Sequence, residues 1–293
     1  MPSIAMSRPC DIRPSRALCV CAESSFSYPS PQPVHPFFKC VNPGTSAGRI
    51  RFVSIALNLA RIRARIARAA VRAGRKPEEI TLVAVSKNFP AEAIREAYAA
   101  GIRDFGENRV QDWESKQPHL TDLDATWHLV GHLQSNKTAR AARLFQKIDS
   151  VDSLELAKRL DRAVSERSAG PSPGAGAQHA APLQVLIEVR LDPIATKSGV
   201  SEADLPALAE AVLALPHLDL RGLMGIPPFF DDPEQAGPYF RRLRSLCDLL
   251  SPRIGRTLPV LSMGMSHDFE AAIEEGATEI RLGTALFGSR FAG

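Results

Sequence analysis

The sequence predicts a single (β/α)8 barrel, that is, a TIM barrel. Short apolar runs alternate with amphipathic helical stretches over most of the chain, which is typical of parallel βα units, and eight is the number of strands that closes a barrel. A length of 293 residues suits one such domain with an appendage, because single barrels commonly run to about 250 residues. An open doubly wound sheet is the alternative, but no predicted strand is followed by the Gly-x-Gly-x-x-Gly pattern of a dinucleotide site.

Apolar runs of strand length define the predicted strands. They cover residues 81–86, 102–106, 126–131, 147–151, 183–189, 220–226, 258–262 and 279–282. The helices between them carry capping signals, since Asp152 with Glu155 and Ser201 with Asp204 match the capping-box pattern. A Gly-, Ala- and Pro-rich stretch at 168–182 is predicted to be a surface loop within the same domain, because the alternation resumes in phase after it.

An amphipathic helix is predicted to precede the first strand. Its apolar residues recur at helical spacing from Leu59 to Ala70, and Gly74 is a suitable C-terminal stop. Arginines occupy another face of this helix. Such a stripe could contact nucleic acid or anionic lipid, but a solvated face is the commoner arrangement and is the prediction here. The four arginines are Arg61, Arg65, Arg68 and Arg72.

The chain divides into two parts of different composition. Residues 1–52 are predicted to be a disordered extension, because they are rich in Pro and Ser, lack apolar periodicity and contain only Asp11 and Glu23 as acids. Residues 53–293 are predicted to form the barrel. A transit peptide and upstream sequence joined by the choice of translation start are both open interpretations of the extension.

Composition excludes several classes of partner. The net charge of +4 is mild, and recognition of nucleic acid would need basic groups gathered on one face. No stretch approaches the roughly 20 apolar residues of a membrane helix. Four of the five cysteines lie in the first fifty residues, so the predicted barrel has no disulfide framework and a reducing cytoplasm is the simplest compartment. Cys19 and Cys21 are too closely spaced for the usual zinc pair, and no metal site is predicted.

The first predicted strand ends in a lysine, Lys87. A barrel places its reactive groups at the carboxyl ends of its strands, so this amine is expected at the functional face directly after a buried apolar run. Partial desolvation there favours the neutral amine, which can attack a carbonyl. A surface lysine that merely ends a strand is the alternative, and position alone does not decide between the two.

Two segments near the C-terminus predict a phosphate site, which barrels frequently build from the loops after strands seven and eight. Ser266 follows strand seven and is predicted to N-cap a helix at 267–275, with its hydroxyl and neighbouring amides at the barrel mouth. After strand eight, Gly283 lets backbone amides approach an anion closely and Thr284 adds a hydroxyl. Each feature is weak alone, but their joint placement indicates a cradle for a phosphate.

Arg281 lies two residues before that cradle and is predicted to project into the barrel, because side chains alternate along a strand. An inward arginine is costly unless it is paired. A pyridine nitrogen is one possible partner, and a guanidinium beside that nitrogen keeps it unprotonated, which weakens the cofactor as an electron sink. A structural pair with Glu107 or another acid is the alternative.

Several long motifs occur in a fixed order along the chain. They are LVAVSK (82–87), FGEN (105–108), WHLVGHLQSNK (127–137), KSG (197–199), GLM (222–224), LSMGMS (261–266) and RLGTALFG (281–288). These motifs resemble those of the pyridoxal phosphate homeostasis protein family, whose single barrel is similar to the N-terminal domain of alanine racemases. The resemblance runs from about Ser54 to the C-terminus.

The resemblance implies that the cofactor is pyridoxal 5′-phosphate (PLP) and that Lys87 carries it as a Schiff base, the internal aldimine. It implies that Ser266, Gly283 and Thr284 hold the phosphate and that Arg281 faces the pyridine nitrogen. On this basis the chain is expected to be a monomeric, cytoplasmic protein of PLP homeostasis, with PLP-dependent apoenzymes as acceptors of the cofactor.

The resemblance also implies that Asn108 and Met263 line the cofactor pocket. The sequence departs from the family's pattern in two places. Residues 1–52 lie outside the resemblance, and Arg190 stands at the end of strand five where family members more often carry Asn. Contacts from strand five are therefore not carried over.

Two further hypotheses make the protein an enzyme. A PLP-dependent racemase needs acid/base groups on both faces of the substrate carbanion, and alanine racemases draw one of these, a tyrosine, from a C-terminal β domain. The tyrosines here are Tyr28, Tyr98 and Tyr239, and none falls at a predicted strand end. An aldolase that uses Lys87 without a cofactor would be colourless. A PLP-binding module is the favoured prediction.

Overall fold

A computed structural model describes residues 54–169, 181–192 and 198–288. The predicted extension at 1–52, most of the loop predicted at 168–182 and Lys197 of the KSG motif lie outside the described residues. By contacts within the chain, residues 51–293 form one unit, which contains all of the described elements.

The described residues form a closed barrel of parallel strands in the order β1 to β8, with β8 paired to β1. The strands are β1 Thr81–Val85, β2 Asp104–Glu107, β3 Thr126–Leu129, β4 Lys147–Val151, β5 Leu183–Val189, β6 Leu218–Gly225, β7 Val260–Ser262 and β8 Glu279–Leu282. The predicted fold is therefore confirmed. Each predicted strand is present, with ends that differ by at most two residues; β3, for example, ends at Leu129 rather than Gly131.

Helices alternate with these strands. They are α1 Ile55–Arg72, α2 Ala91–Ala99, α3 Val110–Lys116, α4 Thr138–Leu144, α5 Leu154–Ala169, α6 Leu205–Leu213, α7 Gly237–Arg253, α8 Phe269–Glu274 and α9 Thr284–Phe287. In the described part of the chain no helix combines the length and the apolar character needed to cross a membrane. The main core lies between the outward faces of the strands and the apolar sides of the helices, because parallel strands of a barrel are covered by helices on one face and pack side chains on the other.

The first helix, α1, begins at the N-cap Ser54, whose hydroxyl accepts a hydrogen bond from the backbone N–H of Leu57. It packs against α8 and α9, and Gly74 follows its end with φ +67°, as a C-terminal stop requires. The prediction of a solvated arginine stripe is wrong for Arg65. Its guanidinium pairs with Glu270 of α8 and lies 4.5 Å from the ring centroid of Phe269, because α8 packs alongside this face.

The capping box predicted at Asp152 is displaced by one residue. The hydroxyl of Ser153 accepts from the backbone N–H of Leu156, 3.4 Å away, while Glu155 bonds to Arg159 one turn later. Asp152 instead faces His132, with 3.4 Å between the carboxylate and the imidazole Nδ1. The serine is equally suited to the cap, so the spacing in the sequence could not choose between the two residues.

Gly222 on β6 is required by the close packing of β7. It lies in register with Val260, and a Cβ added at Gly222 would stand 1.7 Å from the carbonyl oxygen of that residue. We expect Gly222→Ala to lower the free energy of unfolding by roughly 3 kcal/mol or more, because the obstacle is backbone rather than a movable side chain. Urea unfolding measures the loss.

Gly237→Ala is the matched control for that substitution. Its added Cβ would meet nothing closer than Glu275 Oε1 at 3.8 Å, and we expect a change within about 0.5 kcal/mol. Equal stabilities for the two variants would contradict the packing described here.

Candidate cofactor site at the barrel mouth

Lys87 leaves the barrel wall at the carboxyl end of β1. Val83 and Val85 precede it on the inward face, where they cluster with Val130, and the side chain of Lys87 is half-buried. The next residue, Asn88, has φ +65° and is the one non-glycine residue among those described with a positive φ. Short polar side chains tolerate this left-handed conformation. Asn88 therefore turns the chain out of the strand immediately after the lysine.

A buried hydrogen-bonded group fixes the residue before Lys87. The Ser86 hydroxyl donates to Glu107 Oε1 at 2.7 Å, and the Lys116 ammonium donates to the same oxygen at 2.7 Å and to the Ser86 carbonyl at 2.9 Å. Burial raises the pKa of the Glu107 carboxyl, and Lys116 opposes this shift. These contacts do not involve Arg281, so the part of that alternative that named Glu107 is wrong. Lys116 was missed by sequence reasoning, since no pattern marks a single lysine at a helix end.

Arg281 projects into the barrel, as predicted, and is only 4% exposed. Its guanidinium donates to the Ser262 hydroxyl at 2.7 Å and to the Gly225 carbonyl at 3.0 Å. Burial lowers the pKa of Arg281, and nearby carboxylates, led by Glu279 and Asp149, oppose this effect. An arginine remains charged under these conditions. The barrel mouth therefore contains a cation, the Arg281 guanidinium, whose orientation is fixed by its hydrogen bonds to β6 and β7.

Ser266 lies against the segment that follows β8. Its hydroxyl oxygen accepts from the backbone amides of Gly283 at 3.3 Å and Ala285 at 3.2 Å. Ser266 is not the N-cap of the next helix, so that prediction is wrong. The helix α8 starts later, at Phe269, after a turn in which Asp268 Oδ1 accepts from the Met265 amide at 2.6 Å. This turn leaves the serine free to face Gly283.

Strand pairing brings the predicted phosphate residues close to Lys87. Ala84 of β1 is in register with Leu282 of β8, so the chain leaves both strands at the same level of the barrel. Gly283 is half-buried and Thr284 is exposed at the start of α9. A Cβ added at Gly283 would lie 3.3 Å from the Val85 carbonyl oxygen. Amides and hydroxyls of this kind are the donors that a phosphate needs, and the donor set fits such a group.

The two remaining predicted pocket residues differ in burial. Met263 is fully buried after β7, and its amide donates to the Glu279 carbonyl at 3.0 Å. Asn108 is half-buried after β2 and lines a cavity of about 620 Å³. Gly131 packs on its backbone, since an added Cβ there would lie 2.3 Å from the Asn108 carbonyl oxygen. Both residues lie at carboxyl ends of strands, but only Asn108 is partly exposed there.

Deeper in the barrel, His128 is surrounded by carboxylates. Its Nδ1 lies 3.0 Å from Asp149 and its Nε2 lies 3.2 Å from Asp104. Burial alone lowers the pKa of this imidazole, but Asp149, Asp104 and Glu279 outweigh it and raise the pKa to about 9. The ring is therefore an imidazolium at neutral pH. His128, Asp149 and Glu279 have atoms within 4.8 Å of one another, as a metal site would, but both ring nitrogens already face carboxylates.

The carboxyl end of β5 carries another buried acid, Glu188. Residues 198–200 lie beside this strand, where the Val200 amide donates to the Glu188 carbonyl at 2.8 Å. Gly199 adopts φ +110° at this close contact, and a Cβ there would lie 2.6 Å from the Arg190 nitrogen. Ser198 and Gly199 of the KSG motif thus dock onto β5.

Comparisons with known proteins agree with these features. A family profile described as alanine racemase, N-terminal domain, matches residues 57–291. A pyridoxal phosphate homeostasis protein of Pseudomonas aeruginosa is 50% identical over 237 residues, which is 81% of this chain and 96% of the relative. The protein of that name from Escherichia coli K12 is 44% identical over 239 residues, which is 80% of this chain and 97% of the relative.

Solved structures give the same result. PipY of Synechococcus elongatus, solved with PLP bound, has a TM-score of 0.68 and 42% identity, covering 80% of this chain and 100% of PipY. An alanine racemase of Clostridium difficile has a TM-score of 0.58 at 14% identity, covering 82% of this chain and 57% of the racemase. The likeness to the racemase is one of fold alone.

The His128 environment predicts a pH-dependent stability. The pKa of the ring, about 9 in the folded chain, exceeds its ordinary value, so the protonated ring stabilises the fold fully below about pH 6.5 and this contribution is lost as the pH rises through about 9. We expect a loss on the order of 3 kcal/mol from this group between those limits. Urea unfolding at a series of pH values, compared with His128→Gln, measures it. Parallel pH profiles for the two proteins would contradict the assignment.

Proposed function

This chain belongs to the family of the pyridoxal phosphate homeostasis proteins, and from that premise we propose that it binds PLP through Lys87 and serves intracellular PLP homeostasis. One observation carries the proposal. The pairing of β1 with β8 brings the end of β1, which carries the half-buried Lys87, next to the strand that carries the buried Arg281 and to the glycine-led turn with hydroxyl groups that follows it. These are the groups that an aldehyde, a pyridine nitrogen and a phosphate require.

Lys87 supplies the covalent bond in this proposal. When bound, PLP supplies an aldehyde that forms a Schiff base with a primary amine. The Lys87 amine leaves β1 at a point fixed by the Lys116 contact to the Ser86 carbonyl and by the left-handed turn at Asn88. The chain thereby orients the amine toward the mouth. No side chain of the described residues forms a hydrogen bond or ion pair with this amine, so it is available to the aldehyde.

Ser266, Gly283 and Thr284 hold the phosphate group in this proposal. The amides of Gly283 and Ala285 are turned toward the Ser266 hydroxyl, which they contact at 3.2–3.3 Å. These distances are long for an N–H donor to oxygen, which makes the two hydrogen bonds weak. A phosphate oxygen at the same place would be a stronger acceptor, because it is charged. The exposed Thr284 hydroxyl adds a donor from the solvent side.

Arg281 faces the pyridine nitrogen in this proposal, while Asn108 and Met263 line the pocket. Ser262 and Gly225 hold the guanidinium by hydrogen bonds, so its position in the barrel is fixed. A fixed cation beside the ring nitrogen disfavours its protonation and weakens the electron-withdrawing power of the ring. The residue therefore favours storage of the cofactor over carbanion chemistry.

The racemase hypothesis finds less support. Tyr98 lies on α2 under the Arg103 guanidinium, and Tyr239 lies on α7 beside Phe230, so both described tyrosines are engaged on outer helices. The relatives are named as homeostasis proteins.

Our proposal includes a cytoplasmic location, a monomeric state and PLP-dependent apoenzymes as acceptors. The free, buried thiol of Cys247 is compatible with a reducing compartment.

Replacement of Lys87 tests the covalent link. We expect wild-type protein incubated with PLP and desalted to keep a near-visible absorbance band, and Lys87→Ala to lose at least nine-tenths of it, because no Schiff base can form at that position. Absorbance per mole of protein is the measurement. Lys158→Ala, on the exposed face of α5, is the control and should match the wild type. A Lys87→Ala protein that keeps the full band would refute the assignment.

A further inference from the structure

A cavity at the barrel mouth is largely unused by the proposed function. It lies between the segments that follow β2 and β3 and has a volume of about 620 Å³. We propose that it binds a nucleoside monophosphate, with the phosphate held by Arg109 and Lys137. Of the residues assigned above to the cofactor, only Asn108 lines this cavity. The inference therefore stands independently of the covalent and phosphate-binding groups of the cofactor site.

The two walls of the cavity leave the barrel at the same level. Glu107 of β2 is in register with Leu129 of β3, and just beyond this pair the Val130 amide donates to the Glu107 carbonyl at 2.9 Å. The walls that follow are residues 108–112 and residues 131–137, all of which belong to the described part of the chain. They face each other because their strands are neighbours in the barrel.

Contacts outside the cavity hold both walls in place. The Ser150 hydroxyl donates to the Gly131 carbonyl at 2.7 Å, which anchors the start of the second wall on β4. The Trp113 indole donates to the Leu144 carbonyl at 2.9 Å, which ties α3 to the end of α4. The cavity is therefore formed before a ligand enters, and binding needs little ordering of the protein.

Two basic side chains of the lining have no partner among the residues that the structure describes. Lys137 is half-buried and Arg109 is exposed, and neither side chain makes an ion pair or a hydrogen bond there. They belong to opposite walls, so an anion that enters the cavity meets a positive charge from each side. Guanidinium and ammonium groups are the side chains that bind phosphate. The third basic residue, His132, already faces Asp152 at 3.4 Å.

The acid of the lining, Asp112, indicates what accompanies the phosphate. Its side chain is half-buried, and its carboxylate accepts no hydrogen bond from the described residues. A carboxylate repels a phosphate, but it accepts hydrogen bonds from the hydroxyl groups of a ribose, as acidic residues do in dinucleotide sites. One acid beside two cations therefore suits a sugar phosphate better than a free inorganic anion.

The rest of the lining suits a base. Val110 and Leu133 are buried and give the cavity an apolar floor. Gln111 and Gln134 are exposed at its edge, and an amide side chain can both donate to and accept from the edge of a base. A volume of about 620 Å³ lies within the roughly 300–1,000 Å³ of small-molecule sites. Inorganic phosphate alone would leave most of this space empty.

The test uses the full chain after PLP loading, borohydride reduction and desalting, so that no free phosphate ester remains. Isothermal titration with adenosine 5′-monophosphate (AMP) measures binding to the wild type, Arg109→Met and Lys137→Met. We expect each substitution to weaken binding at least tenfold, because each removes one of two cations that contact the phosphate. Adenosine, which lacks the phosphate, should bind more weakly than AMP and equally to all three proteins. This pattern distinguishes a phosphate contact from general damage to the fold.

Asp112→Ala tests the sugar contact and should weaken AMP and adenosine by the same factor. Lys158→Met, which removes a positive charge from the exposed face of α5, is the matched control and should bind AMP as the wild type does. A chain without the reduced adduct would refute the proposed function and not this inference, which the Arg109 and Lys137 variants decide.

Two results would overturn the inference. The first is a wild type that does not bind AMP, or that binds it no better than Arg109→Met and Lys137→Met do. The second is inorganic phosphate that binds as tightly as AMP, because the nucleoside would then make no contact with the cavity.

Discussion

The pairing of β8 with β1 is the constraint on which the candidate site depends. It closes the barrel, and it sets Lys87 at the same level as the turn that begins with Gly283. These residues are almost two hundred positions apart in the chain, and only closure makes them neighbours. A shift of one residue in this register would move Arg281 from the inside of the barrel to the helix side. The amine, the guanidinium and the amide donors would then no longer share one mouth.

The interior of the barrel is more charged than packing alone requires. Arg281, His128, Asp149, Glu188 and Glu279 are all buried there. Burying charges costs several kcal/mol for each ion unless partners compensate. The carboxylates compensate the arginine and the imidazolium, and the network holds Arg281 in one direction under the mouth. An interior built of ions instead of aliphatic layers thus fixes the orientation of one guanidinium, the one that the proposed function sets against the ring nitrogen.

The sequence predicted the fold because alternation, strand length and capping all act locally. The same reasoning placed Lys87 and Gly283 at the barrel mouth, since both follow strands and the strand ends of a barrel share one face. It failed for Ser266, where Gly264 with φ +91° and Asp268 redirect the chain. Such a turn depends on tertiary contacts that no local pattern records. The conformation of Gly264 and the contact of Asp268 therefore follow from the folded barrel and not from the local sequence.

Lys116, Glu188 and Arg190 show a second limit of sequence reasoning. Lys116 acts through a contact between α3 and the end of β1, and its position in the chain gives no sign of that contact. Glu188 looks like an ordinary polar residue at a strand end until its burial and its unpaired oxygen are seen. Arg190 stood out only as a departure from the family's pattern.

In the proposed function, one amine, on Lys87, carries the cofactor. Borohydride reduction of the PLP-loaded protein, followed by proteolysis and mass spectrometry of the peptides, identifies this amine. We expect a single dominant pyridoxyl-phosphate adduct on the peptide that contains Lys87. An adduct found mainly on Lys116, or spread over surface lysines in proportion to their exposure, would contradict it.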